Sequence, residues 1–324
     1  MFDIITIGDS VVDTYALIDE HCPQTHLDKN KKLLCLNYGD KINIFEAGEA
    51  IGGNAANVAV GMQKLGAKTA IVTELGYDLP GEFILKQLKK ENIDTALVRQ
   101  SRRNKTRSSL VLNYRGERTI LGYHSPRNYS LPPLPDTQWV YYTSLGKGFA
   151  SVQNKLVKYL KKHPETKLAV NPGSYQIKNE TERFKKILSS VHVLFVNKEE
   201  AELLIGKKIS PKKLLLALRS LGPALVAITD GAHGSFASDG ENFYFLPVYT
   251  VKNLSKTGAG DAYASAFLFA VSQGYTLSEA MQWGTANAAS VIGHIGAQAG
   301  LCNKKQIHTL LKRFKAITPT VLRS

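Results

Sequence analysis

Disulfides, zinc clusters and membrane spans are the first things this sequence does without. Its three cysteines, Cys22, Cys35 and Cys302, are odd in number and none belongs to a C-x-x-C pair. That excludes a disulfide or zinc framework and points to a reducing compartment. No apolar run approaches the about 18 residues of a membrane helix. The opening Met1-Phe2-Asp3-Ile4-Ile5-Thr6-Ile7-Gly8 lacks the basic region and long apolar run of a signal peptide. The expectation is a soluble, cytoplasmic protein with no membrane partner. Several catalytic motifs are missing too: no G-x-x-x-x-G-K-[ST], no H-E-x-x-H and no G-x-S-x-G. P-loop, metalloprotease and α/β-hydrolase chemistries are therefore set aside. A dinucleotide fingerprint is absent as well, because Tyr263 stands where Gly258-Ala259-Gly260-Asp261-Ala262 would need a sixth, small residue.

What is present is an ordinary globular composition with a strong positive bias. A chain of 324 residues, 44% of them hydrophobic, can bury a large core. The 26 glycines and 12 prolines are not enriched enough for a collagen-like or disordered chain. The net charge of +14 is spread as pairs, Lys31-Lys32, Lys89-Lys90, Lys161-Lys162, Lys185-Lys186, Lys207-Lys208 and Lys212-Lys213. Such pairs are usually solvated, and no RNP-like motif, zinc finger or basic tail accompanies them, so nucleic acid is not the expected partner. A positive surface also draws in small polyanions.

Short β-rich runs alternate with helical ones along most of the chain. Strands are expected at 2–8, 69–75, 139–143, 167–170, 193–196 and 225–229. Helices are expected at 54–65, 81–90, 151–162, 180–188, 198–205, 211–220, 260–272 and 278–292. Alternation of this kind predicts a mostly parallel sheet covered on both faces, with ligands at the carboxyl ends of its strands. Two segments break the pattern: 33–45, with an alternating strand at 41–45, and 96–121, which reads as a hairpin around Arg115-Gly116. They predict a small separate β layer. Residues 21–32 read as a loop, and no internal repeat is present.

The most informative run is Thr257-Gly258-Ala259-Gly260-Asp261, at the start of a long apolar helix. Free amides and the dipole there favour an anion, yet a carboxylate would repel one. Asp261 makes sense if it takes a proton from a hydroxyl while the amides hold charge on a transferred phosphoryl group. The alternative is a glycine-rich turn capped by Asp. Ile51-Gly52-Gly53-Asn54-Ala55-Ala56-Asn57 lets backbone approach a ligand, with Asn54 as a hydroxyl partner or as a helix cap. Gly8-Asp9-Ser10-Val11-Val12-Asp13 places two carboxylates beyond the first strand, where Asp13 suits a vicinal diol. Asn197 and Glu200 form a capping box, and Glu200 also suits water-mediated contact with Mg²⁺. Thr229, Gly231 and Gly234 close another strand as a nucleotide edge or a hairpin turn, with His233 as a turn residue. Asn171-Pro172-Gly173-Ser174 is a further turn after a central strand.

Taken together, from Gly8 to about Leu301, these motifs resemble the ribokinase-like, PfkB carbohydrate kinase family. The resemblance implies a single domain over 1–324, a three-layer α/β/α fold with a mostly parallel central sheet and a small β-sheet lid from about 14–50 and 96–125. It implies transfer of the ATP γ-phosphoryl group to a hydroxymethyl of a ribose- or fructose-like sugar. A nucleoside acceptor, or a catalytically silent sensor of sugar or nucleotide, is the alternative. By position it makes Asp261 the base and Gly258, Ala259 and Gly260 the anion hole. Asp13, Gly52, Gly53 and Asn54 become acceptor-binding; Asn197, Thr229, Gly231, Gly234 and Asn287 serve ATP; Glu200 serves Mg²⁺. Arg107 and Arg118 fall in the lid, and pairing of two lids implies a homodimer. The family pattern reads Asp-Thr where this chain has Ser255-Lys256. Serine carries no charge, which weakens the ground for expecting activation by a monovalent cation, and Lys256 either places a fixed charge near the anion hole instead or is a solvent-facing lysine with no role.

Overall fold

The structure, a computed structural model, describes residues 1–322 apart from Lys29, Lys32, His124 and Pro126. Lys29 and Lys32, in the expected loop over 21–32, and His124, in the second expected lid segment, lie outside the described residues.

The chain opens with β1 (Phe2–Ile7), β2 (Val11–Ile18), a short hairpin of β3 (Thr25–Asp28) and β4 (Leu33–Leu36), and β5 (Ile44–Gly52). Next come α1 (Asn54–Lys64), β6 (Thr69–Val72), β7 (Glu74–Gly76) and α2 (Leu79–Lys90). Then follow β8 (Arg99–Ser101), β9 (Arg107–Tyr114) and β10 (Glu117–Tyr123). Alternation resumes with β11 (Thr137–Tyr142), α3 (Phe149–Lys162), β12 (Lys167–Val170), α4 (Ser174–Asn179) and α5 (Thr181–Lys185). It continues through β13 (Val193–Asn197), α6 (Lys198–Ile205), α7 (Pro211–Arg219) and β14 (Leu225–Thr229). The C-terminal part is β15 (Ser235–Ser238), β16 (Phe243–Leu246), α8 (Ala259–Ser272), α9 (Leu277–Ile292), α10 (Lys304–Arg313) and β17 (Thr320–Val321).

Among the described residues the main sheet has nine strands in the order β17-β16-β15-β14-β13-β12-β11-β1-β6. Pairing is parallel from β6 to β14 and antiparallel beyond it. Its central strands are buried on both faces, which is why they read as continuous apolar runs rather than alternating ones. One face carries Ile4, Tyr141, Phe195 and Phe267; the other carries Ile5, Val140, Tyr142 and Leu194. Helix α8 is apolar all round because residues 261–270 are all buried against α9, α1 and β13. No helix among the described residues is long and apolar enough to cross a membrane.

A second sheet, ordered β10-β9-β2-β5, uses the second segment that broke the alternation and, of the first, only Ile44 and Phe45, since Leu33–Leu36 pairs with β3 in a separate hairpin. Three boundaries differ from the sequence reading. Strand β2, carrying Asp13, joins this sheet instead of forming a loop. It lacks a clean period because the sheet leaves most of its residues half-buried on both sides. The strand expected at 41–45 lies at Ile44–Gly52, where pairing with β2 sets Val11 opposite Gly52 and Asp13 opposite Ala50. The helix expected at 180–188 is only α5 (Thr181–Lys185), separated from a further short helix α4 before it because Glu180 leaves the helical region at φ −140°. The hairpin β3–β4, strands β15–β17 and α10 were not foreseen.

Candidate active site

Helix α8 starts at Gly258, whose φ of +81° lies in the left-handed region. A Cβ here would also stand 2.6 Å from Ala297 Cα, so glycine is required on two grounds. No side chain caps this end, which leaves the amides of Ala259, Gly260 and Asp261 and the positive end of the dipole for an anion. A Cβ on Gly260 would meet nothing within 4 Å, so the approach to those amides is open.

Asp261 sits in the first turn of α8 and is only 8% exposed. Its Oδ2 accepts from Asn57 Nδ2 at 2.8 Å. Burial pushes the carboxyl up from 3.8 to about 6, against the pull of the Asn57 hydrogen bond. A base tuned this way is ionised at neutral pH yet basic enough to take a hydroxyl proton in the transition state. The buried hydroxyl of Tyr141 on β11 senses the charges of both Asp261 and Glu200 and is itself held well above its ordinary range, chiefly by burial.

A second helix start faces this one. Gly53 precedes α1 with φ +93°, and a Cβ on it would lie 2.4 Å from the Asp9 carbonyl oxygen. A Cβ on Gly52 would fall 2.1 Å from Asp13 Oδ2, so the glycine makes room for that carboxylate. Asp13 accepts a short hydrogen bond from Ser109 Oγ of β9. Burial raises its pKa, while Ser109 and the nearby Arg118 of β10 pull it down. Asn54 is the first residue of α1, not its cap, and donates to Asn171 Oδ1 at 3.3 Å; Asn171 donates on to the Phe195 carbonyl at 2.9 Å. The ends of β12 and β13 are thereby tied to the start of α1.

Further along the same sheet end, Asn197 and Glu200 close the expected capping box. Glu200 N–H donates to Asn197 Oδ1 at 2.8 Å, and Asn197 N–H donates to Glu200 Oε2 at 2.9 Å. Burial, then Asp261 and Glu199, push Glu200 up to about 7, with the Asn197 bonds opposing. Thr229 ends β14 opposite Ser235. Gly231, at φ +53°, is exposed, while Gly234 packs so that a Cβ would lie 2.3 Å from the Leu246 carbonyl oxygen. His233 is exposed in this turn, as expected of a turn residue. No cluster of three metal-ligating side chains exists among the described residues. The charge of Asp261 raises the cost of ionising Glu200, and these two carboxylates are the groups that could give a cation here its negative potential.

Several expected positions are corrected. Asn287 is fully buried, donating to the Ala262 carbonyl at 2.9 Å and to Ser265 Oγ at 3.3 Å, and accepting from Cys302 N–H at 2.9 Å. Its amide braces α8 against α9. Asp13 lies in a strand rather than in a loop beyond β1. Asp9 is engaged by Arg107 and by Tyr129 Oη, so that carboxylate and Arg107 are structural. Lys256 pairs with Glu117 of β10 rather than turning to the anion hole. Ser255 is buried, with its Oγ accepting from Thr257 N–H at 3.2 Å. Sequence reasoning gave no role to Gln298, which donates to Asn57 Oδ1 at 3.0 Å; its only signal is the glycine-flanked Gly296-Ala297-Gln298-Ala299-Gly300.

Comparison with known proteins gives this geometry a context. Residues 14–304 match the family model described as pfkB family carbohydrate kinase. The chain is 26% identical over 310 residues to the ATP-dependent 6-phosphofructokinase of Thermoanaerobacterium thermosaccharolyticum, covering 91% of this chain and 89% of that one. It is 28% identical over 286 residues to the 5-dehydro-2-deoxygluconokinase of Shouchella clausii, covering 81% and 86%. The Arabidopsis thaliana ribokinase, solved with ribose and ATP, shares the fold at a TM-score of 0.77 and 21% identity, covering 96% and 99%.

Proposed function

The chain belongs to the pfkB family of carbohydrate kinases, phosphotransferases with hydroxyl acceptors, and from that premise we propose that it moves the γ-phosphoryl group of ATP to a hydroxymethyl group of a sugar. The observation that carries this reading is the meeting of an uncapped helix start, a buried carboxylate in its first turn and a diol-ready carboxylate on the small sheet.

Asp13 and Asn54 hold the acceptor, with Gly52 and Gly53 letting it close on the backbone. Asp261 takes the proton of the hydroxymethyl group as its oxygen bonds to the γ-phosphorus. The bond from that phosphorus to the β–γ bridging oxygen breaks, and ADP leaves. The amides of Gly258, Ala259 and Gly260 receive the charge on the transferred group. Positioning and charge stabilisation supply most of the acceleration, as is general for phosphoryl transfer. Asn197, Thr229, Gly231 and Gly234 line the nucleotide side. Glu200 would hold Mg²⁺ through water, and the ion would supply neutralisation of phosphate charge. The small sheet acts as the lid that excludes water. Free cysteines at 22, 35 and 302 suit a reducing, cytoplasmic setting.

Within the sugars, Arg118 favours one that carries an acid group. It is exposed, makes no ion pair or hydrogen bond among the described residues, and acts electrostatically on Asp13. Two relatives are named for acceptors of that kind, a phosphofructose and a gluconate. With Arg118→Ala, the KM for acidic sugars is expected to rise about tenfold, the worth of one charge-assisted contact, while neutral sugars keep theirs. Steady-state kinetics on a panel of both kinds decides it; an equal effect on both kinds would remove Arg118 from selectivity.

The small sheet also exposes Phe45, Leu110, Leu121 and Tyr123, and a second copy of this chain is the proposed cover. Sedimentation of the wild type should give a dimer mass, and Leu121→Lys should shift it to monomer. A monomeric wild type at micromolar concentration would refute the pairing.

A further inference from the structure

Asp261 does not set its own orientation. Its Oδ2 accepts from Asn57, and Asn57 Oδ1 accepts from Gln298. A primary amide has one donor end and one acceptor end, so the Gln298 contact decides which end is left for the carboxylate. Turned over, Asn57 would set Oδ1 against a carboxylate oxygen and its NH₂ against another NH₂. Asn57 is 3% exposed, so no solvent would relieve either mismatch.

Gln298 belongs to the segment 293–300, which also touches the start of α8 and the small sheet. Ala297 fills the space beside Gly258. Just before the segment, at the end of α9, the Ile292 carbonyl accepts from Leu254 and Ser255 N–H at 2.8 and 3.2 Å, anchoring the approach to α8. A Cβ on Gly296 would lie 3.7 Å from Ala50 of β5, so the segment also reaches the small sheet.

We infer that Gln298 is a positioning residue of the reaction: through Asn57 it pins Oδ2 of Asp261 and leaves Oδ1 as the atom that takes the acceptor's proton. The inference rests on Asp261 being the base. Around Asp261, α1 presents Asn57, β11 presents Tyr141 and α6 presents Glu200; the latter two are the titratable groups that sense its charge.

Gln298→Glu and Gln298→Leu test it. Glutamate offers an acceptor where a donor stood, so Asn57 turns its oxygen to Asp261; leucine only removes the donor. For the glutamate variant kcat is expected to fall about tenfold, the usual scale for a group that orients a catalytic one. KM for both substrates should stay within twofold, and the acid limb of kcat should move up by about one pH unit. The leucine variant should fall between this and wild type. Equal losses in the two variants with the limb unmoved would mean packing alone, and a loss confined to KM would mean substrate contact; either overturns the inference. Asp261→Asn run in parallel separates the levels. If it is inactive while Gln298→Glu keeps wild-type kcat and limb, only the positioning role fails. If it is active, the base assignment itself fails.

Discussion

Asp261→Asn should lower kcat by about 10²–10³ while the fold and ATP affinity are kept, since a positioned general base contributes on that scale. Asparagine has nearly the same shape and can still accept from Asn57 Nδ2, so the change removes the charge and little else. The same variant should be more stable than wild type at pH 8. The reason is a linkage argument. Burial raises Asp261 in the folded state from 3.8 to about 6, so its contribution to stability is complete below pH 4 and is lost as pH rises through about 6. At pH 8 the wild type holds an ionised carboxylate against that burial, at a cost of about 3 kcal/mol for two pH units. Glu200, raised to about 7, loses stability in the same direction over a window reaching slightly higher. Melting curves at pH 4 and pH 8 should therefore show Asp261→Asn gaining on wild type only at the higher pH. In activity, the wild-type kcat should fall as pH drops below about 6, because the base becomes protonated. A variant as active as wild type, or no difference in melting at pH 8, would take Asp261 out of this role.

Gly258→Ala is expected to lower kcat/KM by about 10² or more without touching any charged group. Two costs combine. The left-handed φ of +81° penalises any Cβ by about 1–2 kcal/mol. In addition, the new atom would stand 2.6 Å from Ala297 Cα and 2.8 Å from its carbonyl oxygen, and backbone cannot swing aside as a side chain would. Relief requires the start of α8 to shift against 293–300, moving the amides of Ala259 and Gly260 away from the phosphoryl group. A displacement of about 1 Å at such a site costs about 10²-fold. Gly274→Ala, beyond the other end of α8, is the matched control, because its φ of +79° carries the same left-handed strain while a Cβ there meets nothing within 4 Å. Steady-state kinetics of the pair should place nearly all the loss at Gly258. Equal, mild losses would mean that the amide geometry is not critical.

These residues differ in how far the sequence alone disclosed them. Gly258, Gly260 and Asp261 were legible because a glycine-rich turn before an apolar helix leaves few physical alternatives. The capping box of Asn197 and Glu200 was legible for a similar reason: it is closed within four residues. The parallel core was readable from apolar runs whose buried faces leave no polar period. Asn287 was assigned through the resemblance alone; its partners Ala262 and Cys302 lie 25 and 15 residues away along the chain, so nothing local in the sequence disclosed that its amide braces α8. Gln298 and Asn57 are 241 residues apart, and nothing local in either segment announces their bond. Strand β2 escaped because a half-exposed sheet imposes no clean alternation, so Asp13 was read in a loop rather than on the strand that carries it. Lys256 was read by distance along the chain from the anion hole, whereas its partner Glu117 comes from the tip of a hairpin 139 residues away.

The most direct test of the whole account is acceptor-dependent ADP release by the purified wild-type chain with ATP and Mg²⁺, across neutral sugars, sugar acids, sugar phosphates and nucleosides. The expected result is ADP formed one for one with a phosphorylated sugar, fastest among the acidic ones. Release no faster than the acceptor-free blank with every sugar, or turnover confined to nucleosides, would contradict it.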